Sequence, residues 1–180
     1  DLVISGITLI ETPATFVFTN TDNFSFQKQA DKLLSSSGTM YFADLNNDSK
    51  VDIIETVKID NVNKLRIYEK TPTGYTMQLD STTIDISNIA IYDLDNNSTQ
   101  DFILSGINET SPVMVAFRNR ENFKFSTQSF LKPLSGSLFI QDINADGRAD
   151  VWASGRTSSG SDSLRSWFSD DGFLPAHGVG

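Results

Sequence analysis

Short apolar segments alternate with clusters of turn-forming residues along the chain. Residues 65–69 and 75–79 alternate apolar with polar side chains, which is the period of a strand with one buried face. Residues 102–104 are continuously apolar, as expected for a strand that is buried on both faces. No stretch has the 3.6-residue period of an amphipathic helix. The pattern therefore predicts an all-β chain.

The predicted strands fall into sets of four, which we number by their order within a set. The first strand of a set precedes an acidic segment, the second follows this segment as a continuously apolar run, and the third and fourth alternate apolar with polar side chains. Aromatic residues recur on the third strand and at the start of the fourth, where we expect them to fill the space between packed sheets, with ligand stacking as the alternative. These aromatic residues are Phe18, Tyr68, Phe117 and Phe168 on the third strand, and Phe24, Tyr75, Phe123 and Phe173 on the fourth.

An acidic segment recurs three times at a fixed spacing of 49 residues, at 44–52, 93–101 and 142–150. An apolar run follows each copy, and two of these runs end in Ser-Gly, at Ser105-Gly106 and Ser154-Gly155. Residues 1–6 match residues 101–106, so the chain is expected to begin at the last Asp of a fourth copy. A period of this length is typical of repeat architectures, and we expect a fragment of a longer repeat protein.

Four antiparallel strands in each repeat of about 49 residues are typical of a β-propeller blade. One such sheet cannot bury both of its faces alone, whereas stacked neighbours can. The predicted fold is therefore a partial or small β-propeller built of four-stranded antiparallel sheets. The predicted segments are 1–36 as a partial blade that lacks its first strand, 37–86, 87–135 and 136–174 as further blades, and 175–180 as a tail or linker.

The composition limits the kinds of site that the chain can build. The net charge is −9, and an acidic chain repels phosphate backbones, so no nucleic-acid partner is expected. The chain has no cysteine and one histidine, His177, which argues against thiolate chemistry and multi-histidine metal centres. No apolar run approaches the ~20 residues of a transmembrane helix, so no membrane insertion is expected.

The acidic segments have the form of cation-binding loops. Oxygen-bearing side chains stand at loop positions 1, 3, 5 and 9, and position 7 would add a backbone carbonyl. A hard cation that takes 6–8 oxygen ligands fits such a loop, and Ca²⁺ is the natural candidate, with about three sites in the chain. The predicted ligands are Asp44, Asn46, Asp48, Lys50 and Asp52 in the first loop, Asp93, Asp95, Asn97, Thr99 and Asp101 in the second, and Asp142, Asn144, Asp146, Arg148 and Asp150 in the third.

Two other interpretations of these loops compete. Asp and Asn are common in ordinary turns, although this does not explain three copies in one register. An EF-hand loop begins in a similar way, and Glu55 stands at its twelfth position in the first loop. The second and third loops have Leu104 and Ala153 there, and their flanks are predicted to be strands.

These motifs resemble the FG-GAP/VCBS repeat family, the integrin-α-like β-propellers. The resemblance rests on the acidic loop, the apolar strand after it and the Ser-Gly that closes that strand, and it covers essentially the whole chain. Residues 142–150 match the family's D-x-N-x-D-G form, whereas the other two loops lack the glycine. The resemblance implies a secreted or surface protein of the bacterial type, in which Ca²⁺ in the hairpin loops holds the blades of a non-catalytic scaffold.

The leading hypothesis is therefore an extracellular adhesion or interaction module, with a protein or glycan ligand on a cell surface or matrix. Neighbouring blades of the same or another chain are expected as further partners. No enzyme activity is expected, because the carboxylates outside the loops show no repeated geometry. Alternatives are a lectin-like propeller, the propeller part of a polysaccharide-active enzyme and a building block of an extended fibre. Five glycosylation sequons occur, at Asn23, Asn47, Asn96, Asn97 and Asn108.

Overall fold

The computed structural model describes residues 2–28, 38–130 and 132–168, and the backbone of residues 178–179. The described residues form antiparallel strands joined by turns and contain no helix. In particular, they include no helix that is long and apolar enough to cross a membrane. The chain divides into two compact units, of which one is Asp1–Phe42 with Val51–Thr82 and the other is Ala43–Lys50 with Thr83–Gly180.

The first unit holds two antiparallel sheets in which consecutive strands are neighbours. The first sheet has three strands and the second has four. The three strands are β1 (Leu2–Ile7), β2 (Pro13–Asp22) and β3 (Ser25–Lys28), and the four are β4 (Thr39–Ala43), β5 (Asp52–Ile59), β6 (Val62–Thr71) and β7 (Gly74–Thr82).

The second unit holds two further four-stranded sheets with the same simple up-and-down order. Strand β15 lies within residues 175–180, which the sequence predicts to be a tail. The strands of the third sheet are β8 (Asp85–Tyr92), β9 (Asp101–Asn108), β10 (Ser111–Asn119) and β11 (Phe125–Ser129). Those of the fourth sheet are β12 (Ser135–Gln141), β13 (Asp150–Arg156), β14 (Asp162–Trp167) and β15 (Gly178–Val179).

Sheets pack face to face within each unit. In the first unit, Val3 and Val17 of the first sheet lie against Ile53 and Tyr68 of the second. In the second unit the core is larger and joins the third sheet to the fourth. Its buried members are Leu94, Ile103, Met114, Ala116, Phe130, Leu134, Ala149, Val151, Ala153 and Trp167. The apolar second strands predicted from the sequence therefore contribute to each core together with the third strands.

A serine hydroxyl reinforces each of these sheet pairs. Ser5 donates a hydrogen bond to the Gly38 carbonyl at 2.8 Å, and Ser105 donates one to the Gly136 carbonyl at 2.5 Å. Both serines belong to the Ser-Gly motif that closes the second strand of a repeat. The motif therefore links one sheet to the beginning of the next.

One buried polar group lies on the face of the second sheet that carries Ile53 and Tyr68. Glu55 is buried on β5, accepts a hydrogen bond from the Tyr68 hydroxyl at 3.2 Å and lies 3.8 Å from the Arg66 guanidinium. Arg66 in turn contacts Asp80 at 3.2 Å. Burial and the nearby charge of Glu55 raise the pKa of Tyr68. Glu55 is thus a member of a buried strand network rather than a loop ligand.

Several aromatic residues occupy positions that differ from the sequence prediction. Phe24 and Phe123 do not open the fourth strands: they lie in the preceding turns with positive φ angles of 62° and 60°, and Phe24 is 87% exposed. These residues belong to tight turns, so β3 begins one residue after Phe24 and β11 begins two residues after Phe123. Trp167, rather than Phe168, pairs with Val151 in the core. Phe173 lies outside the described residues.

The glycine of the Ser-Gly motif is required where the first strand of its own sheet lies close. A Cβ atom on Gly106 would collide with the backbone carbonyl oxygen of Asp85 on β8. A Cβ atom on Gly6, which holds the same place in the repeat, would meet nothing within 4 Å. The same substitution therefore has different consequences at the two positions.

We expect Gly106→Ala to lower the free energy of unfolding by about 1–3 kcal/mol, because β8 must shift to admit the methyl group. Gly6→Ala is the matched control and is expected to change it by less than about 0.5 kcal/mol. Urea unfolding followed by circular dichroism measures both. Equal effects of the two substitutions would contradict the close approach of β8 to Gly106.

Candidate metal centre

The acidic loops join the first strand to the second in three of the four sheets. Position 1 directly follows the first strand and position 9 begins the second, so residues 44–52 lead from β4 into β5, residues 93–101 from β8 into β9, and residues 142–150 from β12 into β13. Position 2 anchors the first two loops, because Leu45 and Leu94 are buried, whereas Ile143 of the third loop is exposed. Strands flank every loop, which excludes an EF-hand.

The Asp at position 1 receives two backbone hydrogen bonds in every loop. One carboxylate oxygen accepts the N–H of position 5, and the other accepts the N–H of position 6. The distances are 3.2 and 2.8 Å at Asp44, 3.1 and 2.8 Å at Asp93, and 3.1 and 2.8 Å at Asp142. This agreement shows that the three segments fold as one kind of loop.

Two residues of each loop have left-handed backbone conformations, which bend the chain into a tight coil. They stand at positions 4 and 6, where Asn, Ser, Ala and Gly occur. Asn and Gly tolerate this conformation better than most residues, and Ser and Ala are small. The φ angles are 59° and 65° at Asn47 and Ser49, 55° and 68° at Asn96 and Ser98, and 60° and 83° at Ala145 and Gly147.

The oxygen at position 5 holds the next turn of the coil. It accepts the backbone N–H of position 7 at 2.8–2.9 Å in each loop. In the first loop the other carboxylate oxygen of Asp48 also pairs with the Lys50 ammonium at 2.7 Å. This hydrogen bond from Lys50 lowers the pKa of Asp48. In the third loop Asp146 accepts a hydrogen bond from the Asn144 amide at 3.0 Å.

The Asp at position 9 is fully buried in all three copies. Asp101 accepts the backbone N–H of Leu94 at 2.9 Å and that of Asn119 at 2.6 Å. Asp150 accepts the N–H of Ile143 at 3.1 Å, and Asp52 accepts that of Lys70 at 2.8 Å. A buried carboxylate needs such donors. In the second loop, position 9 therefore ties the loop to the third strand of its sheet.

The second loop brings three of its predicted ligands together. Carboxylate oxygens of Asp93, Asp95 and Asp101 lie within 4.8 Å of one another, and no other such trio occurs in the described part of the chain. One oxygen of Asp95 contacts Arg120 at 3.2 Å, whereas Oδ1 is buried and has no hydrogen-bond partner among the described residues. All of these candidate ligand atoms are oxygens, and the buried Asp95 Oδ1 is not engaged by a hydrogen bond from the described residues. Such a set of atoms fits a hard cation.

The third loop does not gather its carboxylates in the same way, although its Gly147 eases the turn. It has Asn144 at position 3, where the second loop has Asp95, so one carboxylate is missing from the centre. Every loop has three carboxylates, but only the second loop has one of them at position 3, and only there do the described carboxylates converge. The first loop also has an Asn at this position.

Burial raises the pKa of Asp101 to about 6. The backbone donors of Asn119 and Leu94 oppose this shift, while the charges of Asp95 and Asp93 add to it. The metal-free loop therefore holds a carboxyl group that resists ionisation until the solution is near neutral. A bound cation would favour the ionised form.

Asn119 is a central residue of this site that the sequence pattern did not identify. It is fully buried, and its side-chain amide donates to the Leu45 carbonyl at 2.6 Å. Its own carbonyl accepts hydrogen bonds from Asn97 and Thr99, each at 3.3 Å. Asn119 ends the third strand and lies outside the acidic segments. In the sequence, only its position two residues after the recurring aromatic Phe117 could have indicated its role.

Neighbouring loops are joined by side-chain amides. The Asn47 amide donates to the Ser98 carbonyl at 2.9 Å, and the Asn96 amide donates to the Gly147 carbonyl at 3.2 Å. In both cases position 4 of one loop contacts position 6 of the next. The third loop has Ala145 at position 4, which has no amide to donate. A glycan on the Asn47 or Asn96 sequon would break these contacts.

No protein-family model, curated protein or solved structure matches the chain.

We expect Asn96→Gly to lower the free energy of unfolding by about 0.5–1.5 kcal/mol, because the hydrogen bond to Gly147 is lost while the left-handed backbone is kept. The matched control is Ala145→Gly, which removes no hydrogen bond and relieves a left-handed alanine. We expect this control to be neutral or to stabilise by up to about 1 kcal/mol. Chemical denaturation distinguishes the two, and equal losses would contradict a loop-to-loop contact.

We expect the Asp101 carboxyl group to titrate near pH 6 in metal-free protein, as followed by carbon-13 NMR. An Asp in the unfolded chain titrates near pH 4, so between about pH 4 and 6 the native state binds one more proton than the unfolded state. The contribution of the Asp101 carboxyl group to the free energy of unfolding is complete below about pH 4 and is lost as the pH rises through about 6. Asp80 provides the contrast: burial raises its pKa, but hydrogen bonds from Lys64 and Arg66 outweigh this and lower it. A midpoint for Asp101 at or below that of Asp80 would contradict the assignment.

Proposed function

We propose that the chain is a calcium-stabilised β-propeller segment of the FG-GAP/VCBS type. In this proposal it serves as a non-catalytic extracellular module for adhesion or for binding a protein or glycan ligand. The observation that carries the proposal is the second loop, in which three carboxylates converge around a buried oxygen of Asp95 that lacks a partner.

The propeller assignment is supported by the repetition of one sheet plan. Consecutive strands are neighbours in each of the four sheets, and in the three sheets that have an acidic loop this loop joins the first strand to the second. Within each unit the sheets pack face to face through apolar residues of equivalent strands. A radial stack of such sheets buries faces that a single sheet leaves exposed.

Calcium is favoured over other metals by the chemistry of the donors. The second loop offers carboxylate oxygens from Asp93, Asp95 and Asp101, and the sequence adds the Asn97 amide oxygen and the Thr99 carbonyl. Calcium accepts 6–8 oxygens in flexible geometry, whereas Mg²⁺ needs a stricter octahedron. Transition metals favour nitrogen or sulfur ligands, which these loops do not supply.

The role of the ion in this proposal is structural. Three carboxylates within 4.8 Å repel one another when they are all ionised, and a divalent cation offsets that repulsion. Asp101 and Asn119 connect the loop to the third strand, and Asn47 and Asn96 connect it to the loops on either side. Stiffening of the second loop therefore extends to its neighbours. A Kd of about 10⁻⁴–10⁻³ M is typical of extracellular calcium modules.

We expect calcium to raise the melting temperature of the chain relative to chelator. One site at about 100 times its Kd contributes about 2.7 kcal/mol, which corresponds to roughly 5–10 °C for a chain of this size. Thermal unfolding and titration calorimetry in calcium, magnesium and chelator measure the effect. An unchanged transition in calcium would refute the proposal.

Asp95→Asn provides the site-specific form of this test. It removes one charge from the second loop without touching its backbone hydrogen bonds, so we expect about tenfold weaker calcium binding at this loop. Asp162→Asn is the matched control, because it removes one charge from a side chain that is 90% exposed and remote from the acidic loops. A loss of binding in both variants would indicate a general effect of net charge.

A further inference from the structure

The two internal sheet interfaces follow one rule. We call the face that carries Val3 in the first sheet and Ile103 in the third the leading face. We call the face that carries Ile53 in the second sheet and Val151 in the fourth the trailing face. In both units the leading face of one sheet packs on the trailing face of the following sheet. The two interfaces therefore have the same direction along the chain.

The described residues leave the leading face of the fourth sheet partly exposed. Trp152 stands at the repeat position of Ile103, and Leu164 stands opposite Ser154 as Met114 stands opposite Ser105. Ile103 and Met114 are buried in the core, whereas Leu164 is 59% exposed and Phe139, beside Trp152, is 54% exposed. Together with Ile143 these residues line a shallow apolar concavity of about 470 Å³.

The concavity also holds an unsatisfied donor. The Trp152 indole Nε1 is buried and has no hydrogen-bond partner in the part of the chain that the structure describes. A buried polar atom without a partner is costly. Because the indole Nε1 is itself not exposed, the face offers a docking partner its apolar surface.

The trailing face of the first sheet is also partly exposed among the residues that the structure describes. Leu2 is 44% exposed and Ile4 is 47% exposed. The residues at the Leu2 position in the other repeats are buried, and so are those at the Ile4 position. They are Ile53, Phe102 and Val151 for the former, and Glu55, Leu104 and Ala153 for the latter. Phe26, on the same face of β3, is also exposed.

We propose that these two faces bind each other between molecules, so that a second copy of the chain docks head to tail. The leading face of the fourth sheet of one molecule then covers the trailing face of the first sheet of the next. This contact repeats the polarity of the two internal interfaces, and it does not depend on metal binding. Because the two surfaces differ, the association is heterologous and generates rings or open chains of molecules rather than a two-fold dimer.

Sedimentation velocity of the full chain from about 1 to 100 µM tests the proposal, in calcium and in chelator. We expect the sedimentation coefficient to rise with concentration. Leu164→Glu disables the leading face and Ile4→Glu disables the trailing face, because each places a charge in a contact that excludes water. Each variant alone is expected to remain a monomer. Both side chains are about half exposed, so the monomer is expected to fold, which circular dichroism checks.

The mixture of the two variants gives the decisive result. Leu164→Glu retains a trailing face and Ile4→Glu retains a leading face, so the mixture is expected to form a dimer and nothing larger. Leu9→Glu, at a fully exposed turn residue outside both faces, is the control and should associate like the unchanged chain. A chain that stays monomeric at 100 µM, or a single variant that still associates alone, overturns the proposal. A failure of calcium binding leaves these outcomes unaffected.

Discussion

A buried carboxylate at the end of each acidic loop is the interaction on which the loop architecture depends. Asp101 accepts one backbone hydrogen bond from its own loop and one from the third strand of its sheet. Without these donors, a fully buried carboxylate would be strongly unfavourable. The requirement places the end of the second loop beside Asn119 at the end of β10. Asp150 and Asp52 make corresponding hydrogen bonds in the other copies.

The second constraint is that these sheets have two apolar faces. Along β9 successive side chains point to opposite faces, and residues of both orientations are buried, as Phe102 and Ile103 show. Along β13 the buried residues Val151 and Ala153 lie on the face that packs on the third sheet. A sheet of this kind is stable only when both faces are covered. The exposed Phe139 and Leu164 on one sheet, and Leu2 and Ile4 on another, are the places where this requirement is unmet.

The loops and the sheets are coupled through a few amide side chains. Asn47 and Asn96 connect successive loops, and Asn119 connects the first loop to the second through Leu45. A charge placed in the second loop therefore acts on a connected set of turns. These hydrogen bonds connect the second loop, in which three carboxylates converge, to the other two loops.

The sequence by itself determined the strand content, the 49-residue spacing of the loops and the oxygen-bearing positions within them, because these depend on local periodicity and turn chemistry. It misplaced Phe24, Phe123 and Phe168 by one or two residues, since tight turns shift strand ends without a change in composition. Only the tertiary structure showed that Asp95 completes a trio of carboxylates and that Asn119 holds two loops together. Those contacts join residues up to 74 positions apart, and no local pattern encodes which distant backbone atom a side chain will meet.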